Sequence, residues 1–155
     1  MKWRSKTLEK RTVLFVDDDE IILQSLEKGL LNEPYNILFA KSGKEALEII
    51  QCEEVHVIVT EMCMPEMSGL EFLRIVRKEY PHTICIVLSG YTQDPNLQTA
   101  VYHGEIFSLV PKPWKLGVVH FEALVQRAVD HYNLQSERGK SGRRKLEQCK
   151  AKLKE

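Results

Sequence analysis

The sequence predicts an α/β fold, a parallel sheet of five strands alternating with five helices. Three observations carry that prediction. Five short apolar runs of strand length recur along the chain, rich in β-branched residues and bounded by turn formers. Between them apolar residues return at helical spacing. Directly after several runs stand acids or a hydroxyl, Asp17, Asp18, Glu61 and Ser89, where a strand would give way to a loop.

Taken in order, residues 1–10 are polar and basic and read as a loose arm. Val13 to Val16 is the first strand, ending in Asp17-Asp18-Asp19-Glu20. Ile21, Ile22, Ser25, Leu26 and Leu30 then recur at helical spacing, with an acidic first turn that suits the helix dipole. Pro34 disfavours helical geometry in its predecessor, so this helix should stop near Asn32. Tyr35 to Ala40 reads as the second strand. Ser42 is an N-cap with Glu45 three residues on, opening a helix whose Ala46, Leu47, Ile49 and Ile50 face inward.

Val55 to Thr60 is an apolar, β-branched run, the pattern of a strand covered on both faces. Glu61 follows it, then a loop punctuated by Pro65 and Gly69. A helix over Gly69–Tyr80 carries Leu70, Leu73, Ile75 and Val76. Thr83 to Leu88 is the fourth strand, closing in Ser89-Gly90. Asp94-Pro95 reads as an N-cap followed by proline at the first helical position, starting a short helix through Tyr102. Ile106 to Val110 is the fifth strand. A last, extended helix carries Val118, Phe121, Leu124, Val125, Ala128, Val129 and Tyr132. The chain therefore divides into a basic arm (1–10), one domain (11–135) and a basic tail or linker (136–155).

Lysine plus arginine and aspartate plus glutamate both number 22 in the 155 residues, so no bulk charge draws the protein to nucleic acid or membrane. The tail from Arg138 to Lys154 is basic but lacks aromatic residues and a helix-turn-helix pattern, which favours a solvated linker over a nucleic-acid-binding segment. No signal peptide or membrane-length apolar run is present, which points to the cytoplasm. Cys52, Cys63, Cys85 and Cys149 form no Cys-x-x-Cys pair, and three of them are expected to behave as small hydrophobes.

In an open parallel sheet every strand ends on one edge, where ligands gather. That edge would hold Asp17 and Asp18 after the first strand, Glu61 after the third, Ser89 after the fourth and Lys112 after the fifth. Clustered carboxylates suit a hard cation such as Mg²⁺, and a lysine with a hydroxyl suits phosphoryl oxygens. Each residue alone has a plainer reading. Asp19 is foremost a helix cap, Ser89-Gly90 a turn and Lys112 a solvated lysine.

Val-Leu-Phe-Val-Asp-Asp-Asp-Glu, Glu-Met-Cys-Met-Pro-Glu-Met-Ser-Gly, Ile-Val-Leu-Ser-Gly-Tyr and Val-Pro-Lys-Pro-Trp together resemble the receiver domain of bacterial two-component response regulators, over residues 11 to 135. The resemblance implies a flavodoxin-like, doubly wound five-stranded sheet of order 2-1-3-4-5. It implies a non-enzymatic signalling module with Asp17 and Asp18 as metal-binding acids. The Cys63 carbonyl would be a further Mg²⁺ ligand, Ser89 the switch hydroxyl, Lys112 the phosphoryl-pairing lysine and Lys112–Pro113 a cis peptide. A sensor histidine kinase or a downstream effector is implied as partner, and homodimerisation through the fourth and fifth helices as a further association.

Two positions depart from the family pattern. Its phosphoacceptor is Asp, where this chain has Glu61, which would also face the metal. Its aromatic switch residue corresponds to Leu109, with Phe107 expected on the same face of the fifth strand. Glu61 predicts that phosphoryl transfer does not proceed in the ordinary way, while the surviving acid pair Asp17 and Asp18 leaves room for weak Mg²⁺ binding. The resulting expectation is a phosphorylation-independent interaction module. A domain still using metal, or one switched by a partner alone, stays open. So does a haloacid-dehalogenase-like phosphatase with Asp17 as nucleophile.

Overall fold

A computed structural model of the chain describes residues 10–89, 94–111 and 122–136. The strands are β1 (Thr12–Val16), β2 (Asn36–Ala40), β3 (Val57–Glu61), β4 (Ile84–Ser89) and β5 (Ser108–Pro111). The helices are α1 (Glu20–Gly29), α2 (Gly43–Cys52), α3 (Gly69–Glu79), α4 (Pro95–Tyr102) and α5 (122–136). All strand pairs are parallel, in the order β2-β1-β3-β4-β5. This is the expected flavodoxin-like topology.

Strand alternation divides the core in two. Leu14, Val16, Ile58, Cys85 and Val87 face α2, α3 and α4, meeting Ala46, Ile50, Phe72, Leu73, Val76 and Leu97. Val13, Phe15, Val57, Val59, Ile86 and Leu88 face α1 and α5, meeting Leu23, Leu26, Leu30, Val125 and Ala128. β3 is buried at every residue, as its unbroken apolar pattern predicts. Side-chain caps start the helices. Asp19 accepts from Ile21 N–H, Ser42 from Glu45 N–H, Ser68 from Glu71 N–H and Asp94 from Asn96 N–H.

Several details differ from expectation. α1 ends at Gly29, before Asn32, because Leu30 leaves helical geometry (φ −113°, ψ 15°) and Glu33 N–H closes a turn onto Leu30 O. β5 begins two residues late, since Ile106 N–H bonds to Ala100 O of α4 instead of opening the strand. It runs on through Pro111, tolerated because β5 is an edge strand. Phe107 thus lies outside β5's alternation and packs on the α1/α5 side, whereas Leu109 packs on the α2–α4 side. The two do not share a face.

Ile21 and Ile75 are exposed, at 73% and 37%. Each stands two residues from a buried leucine, Leu23 or Leu73, about 200° around the helix. Of the described cysteines only Cys85 is buried, while Cys52 and Cys63 are exposed. No helix among the described residues is long and apolar enough to cross a membrane.

Candidate functional site

β1, β3 and β4 deliver their last residues to one edge of the sheet. Val16 pairs with Thr60, so Asp17 and Glu61 follow at neighbouring positions, and Glu61 in turn pairs with Leu88, one residue before Ser89. Asp17, Glu61 and Ser89 are all buried, at 2%, 7% and 0% exposure, although each is polar. Asp18 and Asp19 are exposed. Asp17, Glu61 and Ser89 thus end on the shared edge expected from sequence, because a parallel sheet leaves them no other edge.

Hydrogen bonds orient the acids. Asp17 N–H bonds to Ala40 O at 3.1 Å, tying the end of β1 to the end of β2. Asp17 Oδ1 accepts from Asp19 N–H at 2.9 Å, and Asp19 Oδ1 from Ile21 N–H at 2.9 Å. Asp19 is therefore the helix cap that its plainer reading predicts. The Glu61 carboxylate turns onto its own loop, where Oε1 accepts from Cys63 N–H at 3.2 Å.

The loop after Glu61 is closely fitted. Met62 N–H bonds to Leu88 O and Gly69 N–H to Met62 O. A Cβ at Gly69 would lie 2.2 Å from Glu61 O, so only glycine lets α3 begin this close to the end of β3. Glu66 takes φ 67°, the left-handed conformation that a tight turn of non-glycine residues rarely adopts.

Two residues of this edge escaped the sequence reading. Lys41, directly after β2, pairs with Glu20 of α1's first turn, and that bond and charge raise the lysine's pKa. Its signal was its place just past the carboxyl end of a strand, as with Lys112. Thr60, fully buried, donates its hydroxyl to Glu61 O at 3.0 Å. A threonine inside an apolar run gives no such signal.

Leu109 pairs with Val87 in the β4–β5 ladder and is partly buried, two positions before the Ser89–Pro111 pair. Cys63 is exposed at the loop. Lys112, Pro113, Trp114, Val118 and Phe121 lie outside the described residues. Among the described residues, no three His, Cys, Asp or Glu side chains come together in a group that could hold a metal ion.

Comparison with known proteins bears on this edge. The family model of the response regulator receiver domain matches residues 13–123. The hydrogenase transcriptional regulatory protein HoxA of Cupriavidus necator is 32% identical over 129 residues, which cover 83% of this chain and 26% of that protein. The DNA-binding transcriptional regulator NtrC of Escherichia coli is 28% identical over 130 residues, 84% of this chain and 27% of its own length. The chain thus spans about a quarter of the length of these relatives.

Among solved structures, the signal receiver domain of an HD domain-containing protein from Pseudomonas fluorescens aligns with a TM-score of 0.73 at 30% identity. That match covers 81% of this chain and 98% of that one. A response regulator receiver domain protein from Clostridium thermocellum aligns at 0.72 and 29%, with the same coverage. Neither the sheet order nor these matches lends support to a haloacid-dehalogenase-like phosphatase. With its sheet in the order 2-1-3-4-5 and its acids at one edge, the chain belongs to the response regulator receiver domain family of two-component signalling.

Proposed function

We propose that this receiver domain is a phosphorylation-independent interaction module, with Glu61 at the position that accepts the phosphoryl group elsewhere in the family. The observation that carries the reading is the Glu61 side chain, buried and bonded to Cys63 N–H of its own loop. An acceptor carboxylate must sit in line with phosphorus, so catalysis at such a site is nearly all placement. Glutamate's extra methylene displaces the carboxylate by about 1.5 Å. A misplacement of that order costs on the order of 10²-fold in rate.

Glu61 also sets a fixed negative charge at this edge, where Ser89 and Lys112 are the proposed switch hydroxyl and pairing lysine and Pro113 the proposed cis-proline. The mimicry is partial, because a phosphoryl group brings about −1.5 to −2 charge and three acceptor oxygens. Leu109, at the aromatic switch position, has no ring to swing. A state that does not depend on phosphate follows from both substitutions. Receiver domains are in general signalling modules without enzymatic activity of their own, and this reading assigns the chain none. Its partner would be a sensor histidine kinase or a downstream effector, met in the cytoplasm. Association of two copies through α4 and α5 is a second mode.

Mg²⁺ is the cation that such acids take in the family. Asp17, Asp18, Glu61 and the Cys63 carbonyl are the groups that would hold it here, weakly, and it would supply charge to neutralise phosphoryl oxygens. Asp17 Oδ1 accepts from Asp19 N–H and Glu61 Oε1 from Cys63 N–H, bonds that engage one oxygen of each carboxylate and orient it. No step of the proposed function runs through a metal.

Acetyl phosphate with Mg²⁺, read by intact mass, tests the reading. The parent protein should stay unlabelled, and Glu61→Asp should gain labelling by on the order of 10²-fold. A stable phosphoryl adduct on Glu61 would overturn it.

A further inference from the structure

At the opposite edge, where the strands begin, lies a cavity of about 280 Å³. Its interior is apolar, with Ile58 and Val76 fully buried in its lining, and Tyr80 and Tyr132 contribute aromatic surface. Three exposed carboxylates, Glu53, Glu54 and Glu79, also line it. Among the described residues no ion pair engages Glu53 or Glu79, while Glu54 stands 3.4 Å from His56 Nε2. The nearby guanidinium groups are already engaged. Arg11 lies 5.1 Å from the Tyr132 ring centroid and bonds to Asn133, and Arg77 bonds to Pro81 O.

A pocket with an apolar and aromatic interior and an acidic mouth suits a long cationic side chain. The alkyl stem covers the lining, the head meets the carboxylates, and a guanidinium can stack on a tyrosine. Such side chains follow immediately in the sequence. Tyr132 of α5 is part of the cavity wall, and the described part of the helix reaches Ser136, four residues on. Beyond it come Arg138, Lys140, Arg143, Arg144 and Lys145, with no acid among residues 138–145.

We infer that this basic segment, residues 138–145, docks into the acidic cavity at the amino end of the sheet. Tethering makes a modest site sufficient. Attachment to the same chain at short range gives an effective concentration in the millimolar range, so an intrinsic dissociation constant of about 1 mM leaves the cavity roughly half occupied. The contact would place a second interaction surface opposite the Asp17–Glu61 edge, covered by the chain itself and open to competition from other basic segments.

The chain carries its own reporters. Cys52 is exposed and adjoins Glu53 at the mouth, Cys63 is exposed at the far edge, and Cys149 lies four residues past Lys145. Diamide would oxidise the dilute full-length chain, taking two electrons and two protons from each pair of thiols to form a disulfide. Peptide mapping then compares Cys52–Cys149 with Cys63–Cys149. Docking predicts an intramolecular excess of the first by about fivefold or more.

The charge-reversed variant Glu53→Lys/Glu79→Lys should cut that excess by at least about threefold, because like charges oppose docking. New lysines beside Cys52 would by themselves favour its thiolate and speed its reaction. A fall therefore reports lost docking and not lost reactivity. An excess unchanged in the variant would overturn the inference. So would Cys52–Cys149 bonds that form only between chains and grow with concentration, since the occupant would then be a second copy.

Discussion

Gly69 shows how one atom governs the candidate site. Its N–H bonds to Met62 O at 2.8 Å, and the space where a Cβ would stand is filled by the Glu61 carbonyl at 2.2 Å. The obstruction is backbone, not the flexible end of a side chain, so the strand end itself would have to move. Gly69→Ala should destabilise the fold by about 1–3 kcal/mol, the usual cost of overpacking. Chemical denaturation checks the loss, and an unchanged midpoint would show that α3 can slide away freely. The same substitution should disturb the Glu61–Cys63 bond, since both groups belong to the displaced loop. Glycine here was legible as loop punctuation before a helix. That it is a spacer against one particular carbonyl was not, because the requirement comes from β3, which no local pattern around Gly69 reports.

The connection from α1 to β2 makes the corresponding point for elements. Tyr35 reads from sequence as the first residue of a strand, and the structure places it just before β2, 5% exposed. Its hydroxyl is buried without a hydrogen-bond partner among the described residues. Burial first, then the charges of Glu33 and Glu122, push its pKa above the usual phenol range. Removing a desolvated, unpaired hydroxyl should help, so Tyr35→Phe is expected to stabilise the protein by about 1 kcal/mol. A clear loss of stability in thermal or urea unfolding would contradict this. The five strands, the helix caps at Asp19, Ser42 and Asp94, and the shared edge of Asp17, Glu61 and Ser89 were all legible, because each follows from local period, capping chemistry or the geometry of a parallel sheet. The start of β5 was less so. Ile106 fits a strand by type, and only its bond to Ala100 O, set by how α4 ends, removes it. Exposure of Cys52 was also hidden, since an apolar-looking helix end gives no hint of which turn leaves the core.

At the scale of the whole molecule, α5 returns along β1 and its flanking loop, so residues from the two ends of the domain touch. Arg11 Nε donates to Asn133 Oδ1 at 2.6 Å, and the His56 and Tyr132 rings meet edge to face at 4.8 Å. Glu33 of the α1–β2 connection faces Glu122 at the start of α5. Burial, the neighbouring Glu122 charge and a hydrogen bond between the two carboxyl groups, in that order, raise the Glu33 pKa above its usual 4.5. The sign of the consequence follows directly. Below about pH 4.5 the Glu33 carboxyl is protonated in both folded and unfolded chains, and its hydrogen bond to Glu122 is intact. As pH rises through the higher folded value, the proton is lost and two like charges are left facing each other, with the buried Tyr35 hydroxyl nearby. Glu33→Gln keeps a donor for Glu122 and removes the repulsion. The variant should match the parent near pH 4 and exceed it at pH 7 by up to about 0.5–1 kcal/mol, a small figure because solvent reaches the pair. Urea midpoints at the two pH values measure it. An equal gain at both would mean that the carboxyl pair does not couple α5 to the α1–β2 connection.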